Sequence, residues 1–279
     1  MTRTPSPLPD LHLHTPRCQH AQGEPEAYAQ TAAAAGLTRI VFTDHAPLDD
    51  KMDRVHRMAL AELLPYREEI LALAARWQGR LEIGVGLELD WLAGYEPWIA
   101  AAVKAAPWDL CLGSVHFVPR GSGWEFIIRR EAGSEQEILE AYWQAWGDAA
   151  ESGFFQVLSH PDVYRSIDRE PLPGEQDFAC RALDRAARVG VAVECNTSLA
   201  RKGGATIYPA PWLLEEILQR GLPLSSASDS HRPEQVGSGF PLLDEVARDP
   251  RARFLDFRGG RGVPVLGGSH HGDTGSQGI

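Results

Sequence analysis

Histidine is scarce in this chain, ten among 279 residues, yet seven of the ten fall in short polar sequences that each follow a run of β-forming residues. These are His12, His14, His20, His45, His116, His160 and His231, and Glu88 and Asp229 occupy equivalent strand ends. Any one such histidine reads as a core residue satisfied by a single backbone hydrogen bond. The whole set answers a different need. A divalent cation takes several N or O ligands from distant parts of a chain, so imidazoles and carboxylates delivered repeatedly to the same ends of successive strands point to a multinuclear metal centre and to metal-assisted hydrolysis.

The elements that must position these groups alternate between strand and helix. Strand-like runs are expected at Asp10 to His14, Thr38 to Thr43, Leu81 to Glu88, Asp109 to His116, Phe155 to Ser159, Val191 to Cys195 and Leu222 to Ser226. Amphipathic stretches separate them, from about Pro25 to Ala35, Leu60 to Trp77, Trp98 to Ala106, Ile138 to Ala149, Phe178 to Val189, Pro211 to Gln219 and Phe240 to Ala247. Seven consecutive β-then-α units imply an α/β fold of parallel strands with right-handed crossovers, closed into a TIM-like barrel or nearly so. Every candidate ligand then lies at the C-terminal end of its strand, the face where barrel enzymes build their sites. The sixth strand ends instead in Asn196-Thr197-Ser198, a polar tip suited to substrate.

Composition narrows the field further. A 43% hydrophobic content supplies a sizeable core, and residues 1–265 read as one domain. Residues 266–279, rich in Gly and Ser, are expected to form a disordered tail, which sets His270 and His271 aside. His56 reads as a surface residue. No apolar run approaches the length of a membrane span, and the N-terminus lacks the apolar stretch of a signal peptide. Cys18, Cys111, Cys180 and Cys195 form no CxxC pair, so reduced thiols and a cytoplasmic setting are expected. Cys18 alone sits among the histidines, and it stays outside the ligand set because thiolate favours structural zinc. A net charge of -11 argues against long nucleic acid and requires an anionic substrate to be held by locally placed cations. No feature of the sequence bears on the oligomeric state.

Eight short sequences, in order, resemble the motifs of the polymerase and histidinol phosphatase (PHP) family. They are Asp-Leu-His-Leu-His at 10–14, Cys-Gln-His at 18–20, Thr-Asp-His-Ala-Pro at 43–47, Gly-Leu-Glu at 86–88, Gly-Ser-Val-His-Phe at 113–117, Ser-His-Pro-Asp at 159–162, Asn-Thr-Ser at 196–198 and Ser-Asp-Ser-His at 228–231. Within the family the chain looks most like the monofunctional phosphatases that act on L-histidinol phosphate in histidine biosynthesis. The resemblance implies a distorted (β/α)7 barrel and three divalent ions. His12, His14, Glu88 and Asp229 would hold the first, Glu88 as a bridge with His116 and His160 the second, and His20, His45 and His231 the third. Zinc, manganese and iron all suit imidazole and carboxylate ligands. Asp44, beside His45, is a candidate acceptor behind the ligands.

With three such ions, two carboxylates, a hydroxide and a dianionic phosphate, the filled site is close to neutral, which favours a small phosphorylated substrate. The expected mechanism is in-line attack on phosphorus by a metal-bridging hydroxide, with Asp229 orienting it or accepting its proton. A nucleophilic Ser114–His116 pair is disfavoured, because a metal-ligating imidazole has no lone pair left to act as base. Arg165 and Arg201 match phosphate-binding arginines of the resembling phosphatases, and both fall on loops at the mouth. The family usually has Gly-Leu-Arg-Lys after the Asn-Thr-Ser tip, whereas Leu199-Ala200-Arg201-Lys202 stands here, so Lys202 could replace Arg201. In the loop from Pro47 to Asp53, an acid among Asp49, Asp50 and Asp53 could pair with a substrate ammonium. Two alternatives remain at this point: a phosphoesterase of the same family acting on nucleotides, and a non-catalytic metal-binding regulatory module.

Overall fold

A computed structural model describes residues 8–48, 53, 55–127, 135–165, 171–203 and 206–265. β1 (Asp10–Leu13), α1 (Pro25–Ala34), β2 (Arg39–His45), α2 (Leu63–Trp77), β3 (Glu82–Asp90), α3 (Glu96–Lys104) and β4 (Leu110–Ser114) alternate as expected. A hairpin of β5 (Phe117–Arg120) and β6 (Gly123–Phe126) intervenes before α4 (Glu135–Glu151), β7 (Val157–Leu158), α5 (Glu175–Val189), β8 (Ala192–Asn196), α6 (Pro211–Gln219), β9 (Leu224–Ala227) and α7 (Phe240–Val246). A second hairpin joins β10 (Leu255–Arg258) to β11 (Arg261–Pro264). Strand-and-helix alternation alone does not announce either hairpin.

Seven strands form one sheet in the order β1-β2-β3-β4-β7-β8-β9, with every pairing parallel. The first and last strands meet at a single bridge between Leu13 and Ser230, where His14 N donates to Ser230 O at 2.9 Å and Ser230 N to His12 O at 3.3 Å. Lower on the seam the buried Asp10 carboxylate accepts from the backbone N–H of Ser228 (2.8 Å) and Gly237 (2.9 Å). The barrel is thus nearly closed, by a bridge and a side chain instead of a ladder, and this is the distorted seven-stranded barrel expected.

Alternation decides what faces the lumen. In β2 Ile40 and Phe42 pack outward under the helices, while Val41 belongs to an inner cluster. β1 pairs Asp10 with Ile40 and Leu13 with Phe42, so it advances three residues while β2 advances two. That bulge lets Leu11 join the inner cluster and still turns His12 into the lumen. The inner face of β3 carries Gly86 directly below Glu88. A Cβ there would stand 2.2 Å from the carbonyl oxygen of Leu110, so only glycine allows β3 and β4 to approach this closely.

The lower lumen is apolar, packed by Leu11, Val41, Leu110, Leu112, Val157 and Ala192, with Phe257 supplied by β10. Arg39 fastens this plug. Its Nε donates to Asp256 (2.7 Å), its NH2 to Phe257 O (2.6 Å) and its NH1 to Glu82 (2.7 Å). Among the described residues no helix is long and apolar enough to cross a membrane.

Candidate metal centre

Glu88 stands at the centre of the mouth, 1% exposed, and its two oxygens face different groups. Oε2 lies 3.2 Å from His12 Nε2, 3.5 Å from His14 Nε2 and 3.0 Å from His45 Nδ1. Oε1 lies 3.1 Å from His160 Nε2 and 3.8 Å from His116 Nε2, and accepts from Ser114 Oγ at 2.6 Å. The contact with His45 follows from register, because His45 and Glu88 are paired residues of β2 and β3. Asp229, just past β9, holds Oδ1 3.3 Å from His14 Nε2. Its φ of +53° is unusual for a residue other than glycine, though aspartate tolerates it better than most, and it turns the chain so that Asp229 and His231 both face the mouth. His231 and His20 approach to 2.8 Å between their Nε2 atoms, and the rings of His14 and His231 stack at 4.1 Å.

Several of these close approaches are not hydrogen bonds. His12 Nε2, His14 Nε2, His45 Nδ1 and Glu88 Oε2, which face one another, are buried without a hydrogen-bonding partner among the described residues, and so, on the far sides of their rings, are His14 Nδ1 and His160 Nδ1. Buried polar atoms are normally paired. Lone pairs that converge on a shared centre and leave their atoms otherwise unsatisfied are what a cation requires of its ligands, so the donor set fits divalent metal. Ligand atoms lie within 4.8 Å of one another in the groups His12–His14–Glu88, Glu88–His116–His160, His14–His45–His231 and Cys18–His20–His231. The first two match the expected first and second positions, short of Asp229. His20, His45 and His231 do not form one such group, but their rings are neighbours, with centroids 4.5 to 6.3 Å apart.

A layer of acceptors behind the ligands sets which nitrogen faces inward. His12 Nδ1 lies 2.8 Å from Glu194, His116 Nδ1 3.0 Å from Asp90, His20 Nδ1 2.8 Å from Cys18 O and His231 Nδ1 3.2 Å from Asp229 O. In each case the proton belongs on Nδ1 and Nε2 is left to ligate. Glu194 and Asp90 were not anticipated, although each could have been found by counting in twos along its strand, from Asn196 back to Glu194 and from Glu88 on to Asp90. Asp44 has the anticipated kind of role for a different ring. Its Oδ1 is 3.5 Å from His14 Nδ1, while from His45 it accepts only the backbone N–H, at 2.9 Å.

Charge in the site is tightly balanced. Burial pushes the Glu88 and Asp229 carboxyls up, but His45 and His12 around Glu88, and His12, His14 and His231 around Asp229, hold both well below the usual carboxylate range. Burial works against charge on His12 and His14 as well. There the surrounding carboxylates outweigh it, Glu194 and Glu88 at His12 and Asp229 and Asp44 at His14, and raise both rings well above the ordinary value. His231 is pushed down to about 3 by burial and by the charge of His14, and His45 is lowered well below its usual value, by burial first. The carboxylates thus demand positive charge that the imidazoles can supply only in part.

The remaining expectations fall around a cavity of about 420 Å³ above these ligands. Arg201 lines it, with NH2 donating to Asp229 O at 2.9 Å and NH1 to Ser228 O at 2.5 Å. Arg165 is buried, donates to Asp162 (2.7 Å) and Ile207 O (2.7 Å), and packs against Tyr208, whose ring lines the cavity. His56 keeps the exposure of a surface residue, its side chain 39% exposed, and also lines the cavity, with Asp53 Oδ1 3.1 Å from its Nδ1. Asp53 lines it too, whereas Asp49, Asp50, the side chain of Lys202, and His270 and His271 with the expected tail lie outside the described residues. Of the tip of β8, Ser198 lines the cavity, while Asn196 and Thr197 are buried: Asn196 Nδ2 donates to Glu194 (2.9 Å) and to Asp229 (3.4 Å), and Thr197 to Ser238 O. Cys18 is fully buried and accepts from Ala21 N at 3.3 Å.

A nearly closed seven-stranded α/β barrel whose mouth gathers imidazoles around a divided carboxylate is a metal-binding barrel. The model of the family described as PHP domain matches residues 10–198, and the chain belongs to this family. A Deinococcus radiodurans protein named "Probable histidinol-phosphatase" is 36% identical over 259 residues, covering 90% of this chain and 96% of that protein. The histidinol-phosphatase of Bacillus subtilis is 29% identical over 267 residues, covering 85% and 98%. Among solved structures, the histidinol phosphate phosphatase of Lactococcus lactis, complexed with zinc, L-histidinol and phosphate, superposes with a TM-score of 0.73 at 22% identity, covering 92% of this chain and 98% of that one.

Proposed function

We propose that this chain is a metal-dependent phosphomonoesterase that hydrolyses L-histidinol phosphate to L-histidinol and inorganic phosphate, a step of histidine biosynthesis. The observation that carries the reading is the division of Glu88 between two sets of histidines, on a chain related over most of its length to histidinol-phosphatases. Three ions, zinc, manganese or iron, suit the residues: His12, His14, Glu88 and Asp229; Glu88, His116 and His160; His20, His45 and His231. Bound there, they would supply an acidified water and neutralise phosphoryl oxygens.

The chain's own groups do the rest. Asp229, ionised at neutral pH, orients the attacking water or takes its proton. Arg201, anchored on two carbonyl oxygens, presents its guanidinium to the phosphate, with Arg165 supporting the same end from beside Tyr208. Asp53, which lines the cavity between His56 (3.1 Å) and Arg57 (3.3 Å), faces the amino end of the substrate in this reading. The four free cysteines suit a cytoplasmic setting, and one domain over residues 1–265 belongs to the same reading.

A panel of phosphomonoesters offered to the purified, metal-loaded protein tests it. L-histidinol phosphate is expected to exceed nucleoside monophosphates in kcat/KM by at least about 100-fold, the scale on which unmatched polar groups are rejected. Preference for nucleotides would move the assignment to a nucleotide phosphoesterase, and inertness toward every phosphoester would leave a regulatory module.

A further inference from the structure

Arg57 lies in the connection from β2 to α2, beyond His45, and is only 4% exposed while lining the cavity. Its NH2 pairs with Asp90 Oδ2 at 2.6 Å, and its guanidinium packs against the ring of Phe117 at 5.9 Å. Asp90 is the residue two beyond Glu88 on the same face of β3. Its other oxygen, Oδ1, accepts the backbone N–H of His116 at 3.2 Å and faces His116 Nδ1 at 3.0 Å. One carboxylate is therefore held from both sides, by a guanidinium and by a ligand imidazole. The backbone of Arg57 makes a second connection: its carbonyl accepts from Gln19 Nε2 at 2.6 Å, and Gln19 precedes the ligand His20 with a φ of +68°.

From this chain of contacts we infer that Arg57 is a positioning residue of the metal centre, clamping Asp90 on His116 so that His116 Nε2 stays turned toward Glu88. A buried carboxylate with one oxygen released can rotate about its terminal torsion, and the imidazole it orients is then free to turn its lone pair away. The guanidinium suits the task because it stays charged and rigid when buried, where an ammonium is more mobile. The inference rests on the metal-centre reading above, and the two fail separately. A parent protein that binds no metal refutes that reading, whereas a variant that binds metal as the parent does refutes this one.

The test is metal binding, measured against a competing chelator on the full chain, followed by kcat and KM for a phosphomonoester. Arg57→Ala is expected to weaken one ion by about 10- to 100-fold while leaving the others tight, and to lower kcat far more than it changes KM. Arg57→Lys should lose less. Asp90→Asn should weaken the same ion, and the losses in metal affinity should be less than additive in the double variant, because both pass through the Arg57–Asp90 pair; the second pair of Arg57, from Nε to Asp53 at 3.3 Å, does not touch His116. Should Arg57→Ala fail to fold, Arg57→Lys and Asp90→Asn carry the comparison. Parent-like metal affinity in the folded variants, additive losses, or a rise in KM alone would overturn the proposal, the last by making Arg57 a substrate contact.

Discussion

The lower and upper halves of the barrel lumen are lined by the same strands under the same two-residue alternation, and they are held together by opposite means. Below, Leu11, Val41, Leu110, Leu112, Val157 and Ala192 close on Phe257, and burial of apolar surface does the work, about 1.5–3 kcal/mol for each large side chain. Above, the inward positions become Glu88, Asp90, Ser114, Ser159, Glu194 and Asn196, all buried; the rings of His12 and His116 lean on Glu194 and Asp90, and those of His20 and His231 on backbone oxygens. Such a layer is costly unless each group is paired. It is paired almost everywhere except at the atoms that face the ligand centre. Stability and chemistry are therefore segregated along the barrel axis.

Substitutions in the two halves should separate these roles. The largest expected effect is at the top: Glu88→Gln removes the shared carboxylate, and turnover should fall by several orders of magnitude with loss of bound metal, since charge stabilisation by metals supplies several kcal/mol of the barrier reduction. Steady-state kinetics with elemental analysis checks this, and near-parental values for both would break the bridge assignment. At the bottom, Leu112→Ala should lower unfolding stability by about 2–5 kcal/mol in denaturant titration, yet leave metal content and kcat of the folded fraction unchanged. A loss of metal in that variant would show that the halves are not independent.

Two smaller effects refine the upper half. Arg201→Ala should cost about 2–4 kcal/mol in kcat/KM while the metals stay bound, if a charged contact with phosphate is lost. Unchanged kinetics in both Arg201→Ala and Arg165→Ala would reject the anion clamp. The last prediction concerns pH. In the metal-free protein the raised His12 and His14 contribute stability that is complete below the ordinary value of 6.5 and is lost as pH climbs through their raised values. The depressed Glu88 and Asp229 contribute stability that is present above 4.5 and 3.8 and lost only as pH falls further, through their lowered values. Ligation requires deprotonated rings, so metal stabilises more as pH rises. The gap in Tm between zinc-loaded and chelated protein should widen from about pH 6 to about pH 8, and a constant or narrowing gap would contradict it.

What could be read from the sequence divides along the same axis. The seven βα units, and the candidate ligands gathered at their ends, are legible because histidine is rare and its clusters stand where apolar runs stop. The acceptors behind the ligands were not, since Glu194 and Asp90 each appear as one acid at the end of an apolar strand, and only the barrel's inner face gives them meaning. The bulge in β1 was hidden for a related reason: the spacing of His12 and His14 is the same whether or not Leu11 also turns inward. Phe257 and Arg39, more than two hundred residues apart, meet only through tertiary packing, and local pattern carries no trace of it. His56 keeps the exposure of a surface residue, and nothing local in the sequence shows that it also lines the cavity beside Asp53.

Titration of chelated protein with zinc, with turnover of L-histidinol phosphate followed at each step, tests the central claim most directly. No turnover is expected without metal, and activity should rise to a plateau as three equivalents bind. Full activity in the chelated protein, or a plateau at a single equivalent, would contradict the account.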